Sequence, residues 1–314
     1  MKEILIAILM LVAGFVLLIK GADFFVEGSS SVAKRLKVPS MIIGLTIVAM
    51  GTSLPECAVS VTASMNNSNS LAVSNAIGSN IFNLMIVCGV CALFTPLAVQ
   101  KGTLKREFPF SVLCALLLLG LGFIGSTLGR MDGVVLLVIF TAYLVWMVIS
   151  ARKARANAEG EDEYKLLPGW KCILFIVGGA AAIKFGGDFV VDGASVIAAW
   201  IGMSQTLIGL TVVAFGTSLP ELVTSIVAAR KNEVDMALGN VIGSNVFNIL
   251  FVLGIAAAIS PIGFIAENMV DIAVLVVMSL IVWVMAWTKQ KINRSEGIVM
   301  VVIYAIYLVY ICVR

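Results

Sequence analysis

Gly51-Thr52-Ser53-Leu54-Pro55-Glu56, followed by Gly78-Ser79-Asn80-Ile81-Phe82-Asn83, recurs as Gly216-Thr217-Ser218-Leu219-Pro220-Glu221 and Gly243-Ser244-Asn245-Val246-Phe247-Asn248. Every residue of the second set stands 165 positions after its counterpart, and this register holds without a gap from Asp23/Asp188 to Pro96/Pro261. Each copy sets a carboxylate, a proline and small hydroxyls inside an otherwise apolar run. Those groups are costly there and need a reason.

The surrounding chain identifies the solvent. It is 61% hydrophobic and only 12% charged, with a mean hydropathy of +1.08; a soluble domain has roughly a quarter of its residues charged. Apolar runs of about 18 or more residues, the length that crosses a bilayer as a helix, recur throughout. The chain therefore reads as an integral membrane protein. The run from Ile4 to Ile19 has no small-residue cleavage site behind it and reads as the first spanning helix, not a signal peptide.

The pattern places ten spanning helices at about residues 4–26, 40–64, 71–95, 107–126, 132–150, 170–194, 204–229, 235–260, 269–287 and 297–313. The repeat divides them five and five. An odd number per copy brings the second copy in from the opposite face, so the expected fold is all-α: a polytopic membrane protein of ten helices in two inverted-topology five-helix repeats, as in secondary transporters. Residues 1–150 form the first repeat, 151–169 a polar linker, and 170–314 the second repeat. With both termini outside, sixteen Lys and Arg fall in inside loops and three outside, while Lys20 and Lys184 lie within helices. That asymmetry sets the linker in the cytoplasm. No soluble domain is evident, and no nucleic acid or obligatory protein partner is implied.

Six cysteines, at 57, 88, 91, 114, 172 and 312, sit in or beside apolar segments, and the chain has no histidine. The Cys88–Cys91 pair has no second pair to complete a metal site, so the thiols read as packing groups. Without histidine the usual catalytic zinc ligand and proton shuttle are also missing, and no cofactor is expected.

Glu56 and Glu221 fall near the middle of the second and seventh spans. An acid at that depth costs about 2.5–3.5 kcal/mol on insertion scales. No basic pair matches them, because Lys20 and Lys184 have nearer acids in Asp23 and Asp188. A matched pair of buried carboxylates then reads as a cation site. Pro55 and Pro220 precede them, lack an N–H and clash with the carbonyl four residues back. Both spans should break there and free carbonyl oxygens around Ala49–Thr52 and Ala214–Thr217, which midplane backbone does only where it lines a cavity or is buried in protein. In helical geometry Thr52 and Ser53 share a face with Glu56, as Thr217 and Ser218 do with Glu221. Ser79 and Asn83 share a face of the third span, and Ser244 and Asn248 of the eighth. Gly78 and Gly243 should let these helices approach their neighbours closely, while Asn80 and Asn245 point elsewhere and read as structural. Every candidate ligand is an oxygen, which suits calcium or sodium and not zinc or copper.

At these residues the chain resembles the sodium/calcium exchangers of the cation/calcium exchanger superfamily, over nearly its whole length. The resemblance implies ten helices in two inverted halves, with ion sites between the second, third, seventh and eighth and with the first and sixth sliding against that core. It implies an antiporter, not an enzyme, that trades sodium for calcium, typically three for one. Carried over, the calcium ligands are Glu56 and Glu221, with Thr52 and Thr217 adding backbone oxygens. The sodium sites are Ala49, Ser53, Ser79, Asn83, Ala214, Ser218, Ser244 and Asn248. Several relatives of this kind have an aspartate where this chain has Asn248, and the potassium-dependent branch relies on it. Asn248 therefore argues for potassium-independent, electrogenic exchange.

The repeated acids Asp23/Asp188 and Glu27/Asp192, each followed by Gly28/Gly193, read as entrance or helix-anchoring groups. The expected mechanism is alternating access in a prokaryotic cytoplasmic membrane, with calcium and sodium competing for the two glutamates. The rival is a proton-coupled calcium antiporter of the same fold, since desolvated carboxylates also carry protons. A cation channel and an intramembrane hydrolase are remoter, the latter because no nucleophile–base set is present.

Overall fold

The computed structural model describes residues 2–66, 69–156, 167–203, 212 and 214–313. It is mostly helical, with two short β-pairs at the helix ends. In chain order the helices are α1 (Lys2–Leu36), α2 (Ser40–Thr52), α3 (Leu54–Met65), α4 (Ser70–Phe94), α5 (Lys101–Gly125), α6 (Arg130–Ala156), α7 (Gly169–Trp200), α8 (Ala214–Thr217), α9 (Leu219–Arg230), α10 (Val234–Ile259), α11 (Ala266–Lys289) and α12 (Arg294–Val313). Eight are long and apolar enough to span a membrane, and α2 with α3 makes one more span bent by 50°. Among the described residues the spans thus number up to nine. The seventh expected helix, 204–229, is represented by α8 and α9; most of its first half lies outside the described residues, as do 157–166 of the linker.

Several helices outrun their expected bounds: α5 starts at Lys101 and not 107, and α6 continues to Ala156, into the expected linker. α1 runs to Leu36 and α7 from Gly169 to Trp200, beyond the expected 4–26 and 170–194. The hydropathy signal stops where small polar residues begin, but Gly28, Ser29, Ser30 and Ser31 are buried. There the helix is held by protein contacts and not by lipid.

α1 and α7 form the longest helix–helix contact, and glycine makes it possible. A Cβ on Gly179 would lie 2.7 Å from the Phe25 amide nitrogen and 2.8 Å from the Gly21 carbonyl oxygen. One on Gly186 would lie 2.7 Å from the Leu18 nitrogen. Gly14 meets Gly186 and Val190, Gly21 meets Gly179 and Ala182, and Gly28 meets Cys172. As the number rises on one helix it falls on the other, so the two run antiparallel. They are counterparts in the repeat, α7 lying 165 residues after α1.

The most buried helices are α4 and α10, where 72% and 78% of the apolar window is inside the protein, against 17–28% for α1, α6, α7 and α12. That contrast sorts the helices into a central group and an outer group facing lipid. The two halves are also stitched at their ends. β1 (Leu97–Ala98) pairs antiparallel with β4 (Lys291–Ile292), and β2 (Thr127–Leu128) with β3 (Ile262–Gly263), each pair joining one half to the other.

Candidate ion-binding site

Proline positions both carboxylates. The helix ahead of Pro55 ends at Thr52, and Ser53 leaves helical geometry (φ −86°, ψ 12°). α3 then starts with Pro55 in its first turn, where its fixed φ suits the helix and its missing N–H costs nothing. Ser218 (φ −95°, ψ 4°) and Pro220 do the same for α9. Glu56 and Glu221 therefore sit in the first turns of α3 and α9, where the positive end of the helix dipole favours a carboxylate. Both are fully buried, at 0% exposure.

The break corrects two expectations. Ser53 and Ser218 do not serve the glutamate of their own copy. Ser53 Oγ donates to Glu221 Oε1 at 2.6 Å, and Ser218 Oγ donates to Glu56 Oε1 at 3.1 Å. The non-helical serine turns its hydroxyl out of the following helix's register and across to the other half. The Ala49 carbonyl, expected to be free, accepts from the Ser53 N–H at 3.0 Å. The Thr52 hydroxyl approaches the same oxygen at 3.3 Å, so this carbonyl is engaged by two donors. Of the Ala214 side chain nothing is described; its backbone opens α8. The Thr52 hydroxyl lies 3.2 Å from the Val48 carbonyl, 3.3 Å from that of Ala49 and 3.0 Å from Asn240 Oδ1. Thr217 occupies the corresponding turn of α8.

α4 and α10 supply the other wall. Ser79 lies beside the Glu56 carboxylate, and Ser244 and Thr52 beside that of Glu221. Asn83 and Asn248 are fully buried. Each opens a π-helical turn, Asn83–Val87 and Asn248–Val252, a distortion frequent at functional sites. Asn80 and Asn245 are joined across the halves: each side-chain amide donates to the other's backbone carbonyl at 3.2 Å. Asn248 Nδ2 donates to Asn80 Oδ1 at 3.0 Å. A Cβ on Gly243 would lie 2.7 Å from the Leu45 backbone, so that close approach is real; the position equivalent to Leu45, residue 210, is outside the described residues, and Gly78 has no described neighbour to compare.

Buried polar atoms are normally hydrogen-bonded. Here Glu56 Oε2, Glu221 Oε2, Asn83 Oδ1, Asn248 Oδ1 and Ser244 Oγ are all buried without a hydrogen-bond partner. Four of the five belong to the two carboxylates and the two π-turn amides. They come from both halves in a cluster with two formal negative charges. Asn83 Nδ2 is without a partner as well, but an amide nitrogen offers a metal no lone pair; the hard oxygens with unused lone pairs are what calcium or sodium takes. Among the described residues no three His, Cys, Asp or Glu side chains gather anywhere, so a cation held here relies on amide, hydroxyl and carbonyl oxygens beside the two acids.

Sequence reasoning missed Asn75 and Asn240. Asn75 Nδ2 donates to the Glu56 carbonyl at 3.2 Å and to Ser60 Oγ at 2.9 Å. Asn240 Nδ2 donates to the Glu221 carbonyl at 3.4 Å and to Ser225 Oγ at 2.9 Å. The signal was available, since both lie on the repeat register.

The acids of α1 and α7 differ in their surroundings. Lys231 Nζ lies 3.3 Å from Asp23 Oδ1 and 3.9 Å from Glu27 Oε2, and donates to the Asp23 carbonyl at 3.0 Å. Glu233 accepts from Ser30 and, at 2.7 Å, from Ser40, and pairs with Lys34 at 3.4 Å. This end of α1 is thus tied to the turn between α9 and α10. On α7, Asp188 pairs with Lys184 one turn away. Beside it lies a cavity of about 320 Å³ whose lining includes Pro55, Asp188, Asp192, Thr217 and Pro220. The residues equivalent to Lys231 and Glu233 are Asn66 and Ser68, so the ionic tie has no charged counterpart.

The family model for the sodium/calcium exchanger protein matches residues 6–149 and 171–313. The chain is 32% identical to the sodium/calcium exchanger MaX1 of Methanosarcina acetivorans, covering 96% of this chain and 97% of that one. It is 36% identical to the inner membrane protein YrbG of Escherichia coli (strain K12), covering 94% of each. A solved structure of the sodium-calcium exchanger NCX_Mj soaked with sodium and strontium superposes with a TM-score of 0.86 at 35% identity, covering 98% of both chains.

Proposed function

The chain belongs to the sodium/calcium exchanger protein family, and we propose that it exchanges sodium for calcium by alternating access through the Glu56–Glu221 site. It is a multi-pass membrane transporter and not an enzyme. The observation that carries the proposal is the cluster of orphaned buried oxygens on Glu56, Glu221, Asn83 and Asn248. Calcium takes about 6–8 oxygens at about 2.3–2.6 Å. Glu56 and Glu221 neutralise its charge; Thr52 and Thr217 add backbone oxygens. Sodium draws on the same carboxylates and on Ala49, Ser53, Ser79, Asn83, Ala214, Ser218, Ser244 and Asn248. Because the glutamates serve both ions, the ions compete.

Ten spans in two inverted halves are the architecture that goes with this reading. The antiparallel α1–α7 contact and the hydrogen bonds exchanged at the 165-residue register support it. With both termini outside the cytoplasmic membrane, the Lys231 and Glu233 contacts close the cytoplasmic face and the cavity at Asp188 and Asp192 opens outward. The conformer is then the outward-facing member of the transport cycle. Two site charges leave one calcium neutral and three sodium ions with one net positive charge, which makes exchange electrogenic at about 2.3 kcal/mol per charge per 100 mV. Asn248 in place of an acid makes it potassium-independent.

Glu56→Gln and Glu221→Gln keep the side-chain volume and remove the charge. Each should abolish sodium-dependent calcium uptake in proteoliposomes while the purified protein stays monodisperse. Ordinary uptake by either variant would sink the site. The proton-coupled rival is favoured instead if an acid-inside gradient drives calcium uptake without sodium.

A further inference from the structure

We propose that Asn75 and Asn240 are positioning residues of the ion site, which aim the two glutamates and set the preference for calcium over sodium; this rests on the functional reading above. Neither residue belongs to the repeated motifs that mark the site. Each stands on the helix facing a broken span, Asn75 on α4 opposite α3 and Asn240 on α10 opposite α9. Each spends both amide hydrogens on that span, one on the backbone carbonyl of the glutamate and one on the serine a turn later, Ser60 or Ser225. The set of three groups is repeated at the 165-residue register, so the molecule contains two independent instances of one geometry.

The hydrogen-bond accounts separate these amides from the others nearby. Asn83 and Asn248 leave oxygens unused, as ion ligands would. Asn240 has a partner for each polar atom: its amide donates twice and its Oδ1 lies 3.0 Å from the Thr52 hydroxyl. It is fully buried. A buried amide whose every polar atom is engaged by protein is a poorer ligand than one with an orphaned oxygen, and a good strut. Asn240 joins the Glu221 turn of one half to the Thr52 turn of the other, and those turns carry the carboxylate and the backbone oxygen assigned to calcium.

The first turn of a helix that starts at a break has no preceding turn to fix it, since its N–H groups lack intrahelical partners. Asn75 and Asn240 supply that constraint from outside, at the glutamate itself. Calcium needs both carboxylates on one ion within narrow distance limits. Sodium, bound through many neutral oxygens, depends less on either carboxylate's aim. Loosening one strut should therefore weaken calcium binding more than sodium binding.

The test is equilibrium calcium binding to the purified full-length protein, with sodium titrated in to displace the calcium. Asn240→Ala and Asn75→Ala should each raise the calcium dissociation constant about tenfold, while the dissociation constant for sodium changes by less than about threefold. Ser225→Ala, which spares the bond to the Glu221 carbonyl, should change the calcium constant less than Asn240→Ala does. Should the fully buried Asn240→Ala fail to fold, Asn75→Ala at its half-buried position carries the same measurement. Equal shifts for both ions, or no shift, would overturn the proposal and leave the exchanger reading standing. A native protein that binds no calcium would overturn that reading, and this proposal with it.

Discussion

Ser53 of one half donates its hydroxyl hydrogen to Glu221 of the other at 2.6 Å, and Ser218 returns the bond to Glu56 at 3.1 Å. Neither half completes its own carboxylate. A hydrogen bond to a charged group contributes about 1.5–3 kcal/mol. Ser53→Ala and Ser218→Ala should therefore each weaken ion binding by about tenfold or more, read as the half-saturating calcium concentration for transport. The double variant should fall short of the sum of the two effects, because both serines act on one site. Full additivity would indicate two separate sites.

Lys231 bridges Asp23 and Glu27 of α1. The pair is partly exposed, with side chains 35–36% accessible at the shorter contact, so its strength is on the order of 1 kcal/mol or less. Lys231→Gln should favour the inward-open state a few-fold. The expected result is a lower half-saturating calcium concentration from the cytoplasmic side and no change from the other. High salt should shrink the difference between native and variant. An equal change on both sides would remove Lys231 from gating.

Gly179 leaves no room for a methyl group between the Phe25 nitrogen and the Gly21 carbonyl, whereas its neighbour Gly178 has open space. Overpacking costs about 1–3 kcal/mol, and here the obstruction is backbone, which gives least. Gly179→Ala should lower the detergent melting temperature and stop exchange. Gly178→Ala should leave exchange intact and should not lower the melting temperature. The comparison separates the α1–α7 contact from helix propensity, which the two substitutions alter alike.

Burial raises the Glu233 carboxyl, but hydrogen bonds from Ser30 and Ser40 and the charge of Lys34 outweigh it and hold the group below its ordinary value. A carboxylate lowered on folding stabilises the protein fully above its unfolded pKa, and that contribution is lost as pH falls through the folded value. Melting temperature should therefore drop on acidification below the ordinary carboxylate range. Glu233→Gln, measured over the same range, should show a smaller drop. An identical acid profile would exclude Glu233 as a contributor.

Much of this was legible in the sequence because membrane depth makes polar residues conspicuous. Glu56 and Pro55 stand out against an apolar run, and the second copy repeats them. Periodicity could not show where the freed groups go. Helical spacing set Ser53 beside Glu56, yet a single non-helical residue sends it to Glu221. The π-helical turns at Asn83 and Asn248 have no hydropathy signature, and α1 outruns its apolar window because Ser29–Ser31 are buried by protein and not by lipid. Asn75 and Asn240 lie on the 165-residue register, but so do other small polar residues, and their hydrogen-bond partners are what give them a role.

The most direct test of the central claim is radioactive calcium uptake into sodium-loaded proteoliposomes diluted into sodium-free buffer, with and without potassium. The account predicts uptake that requires internal sodium, ignores potassium, and rises when a potassium diffusion potential makes the compartment losing sodium more positive. Uptake indifferent to sodium and driven by an acid-inside gradient would contradict it.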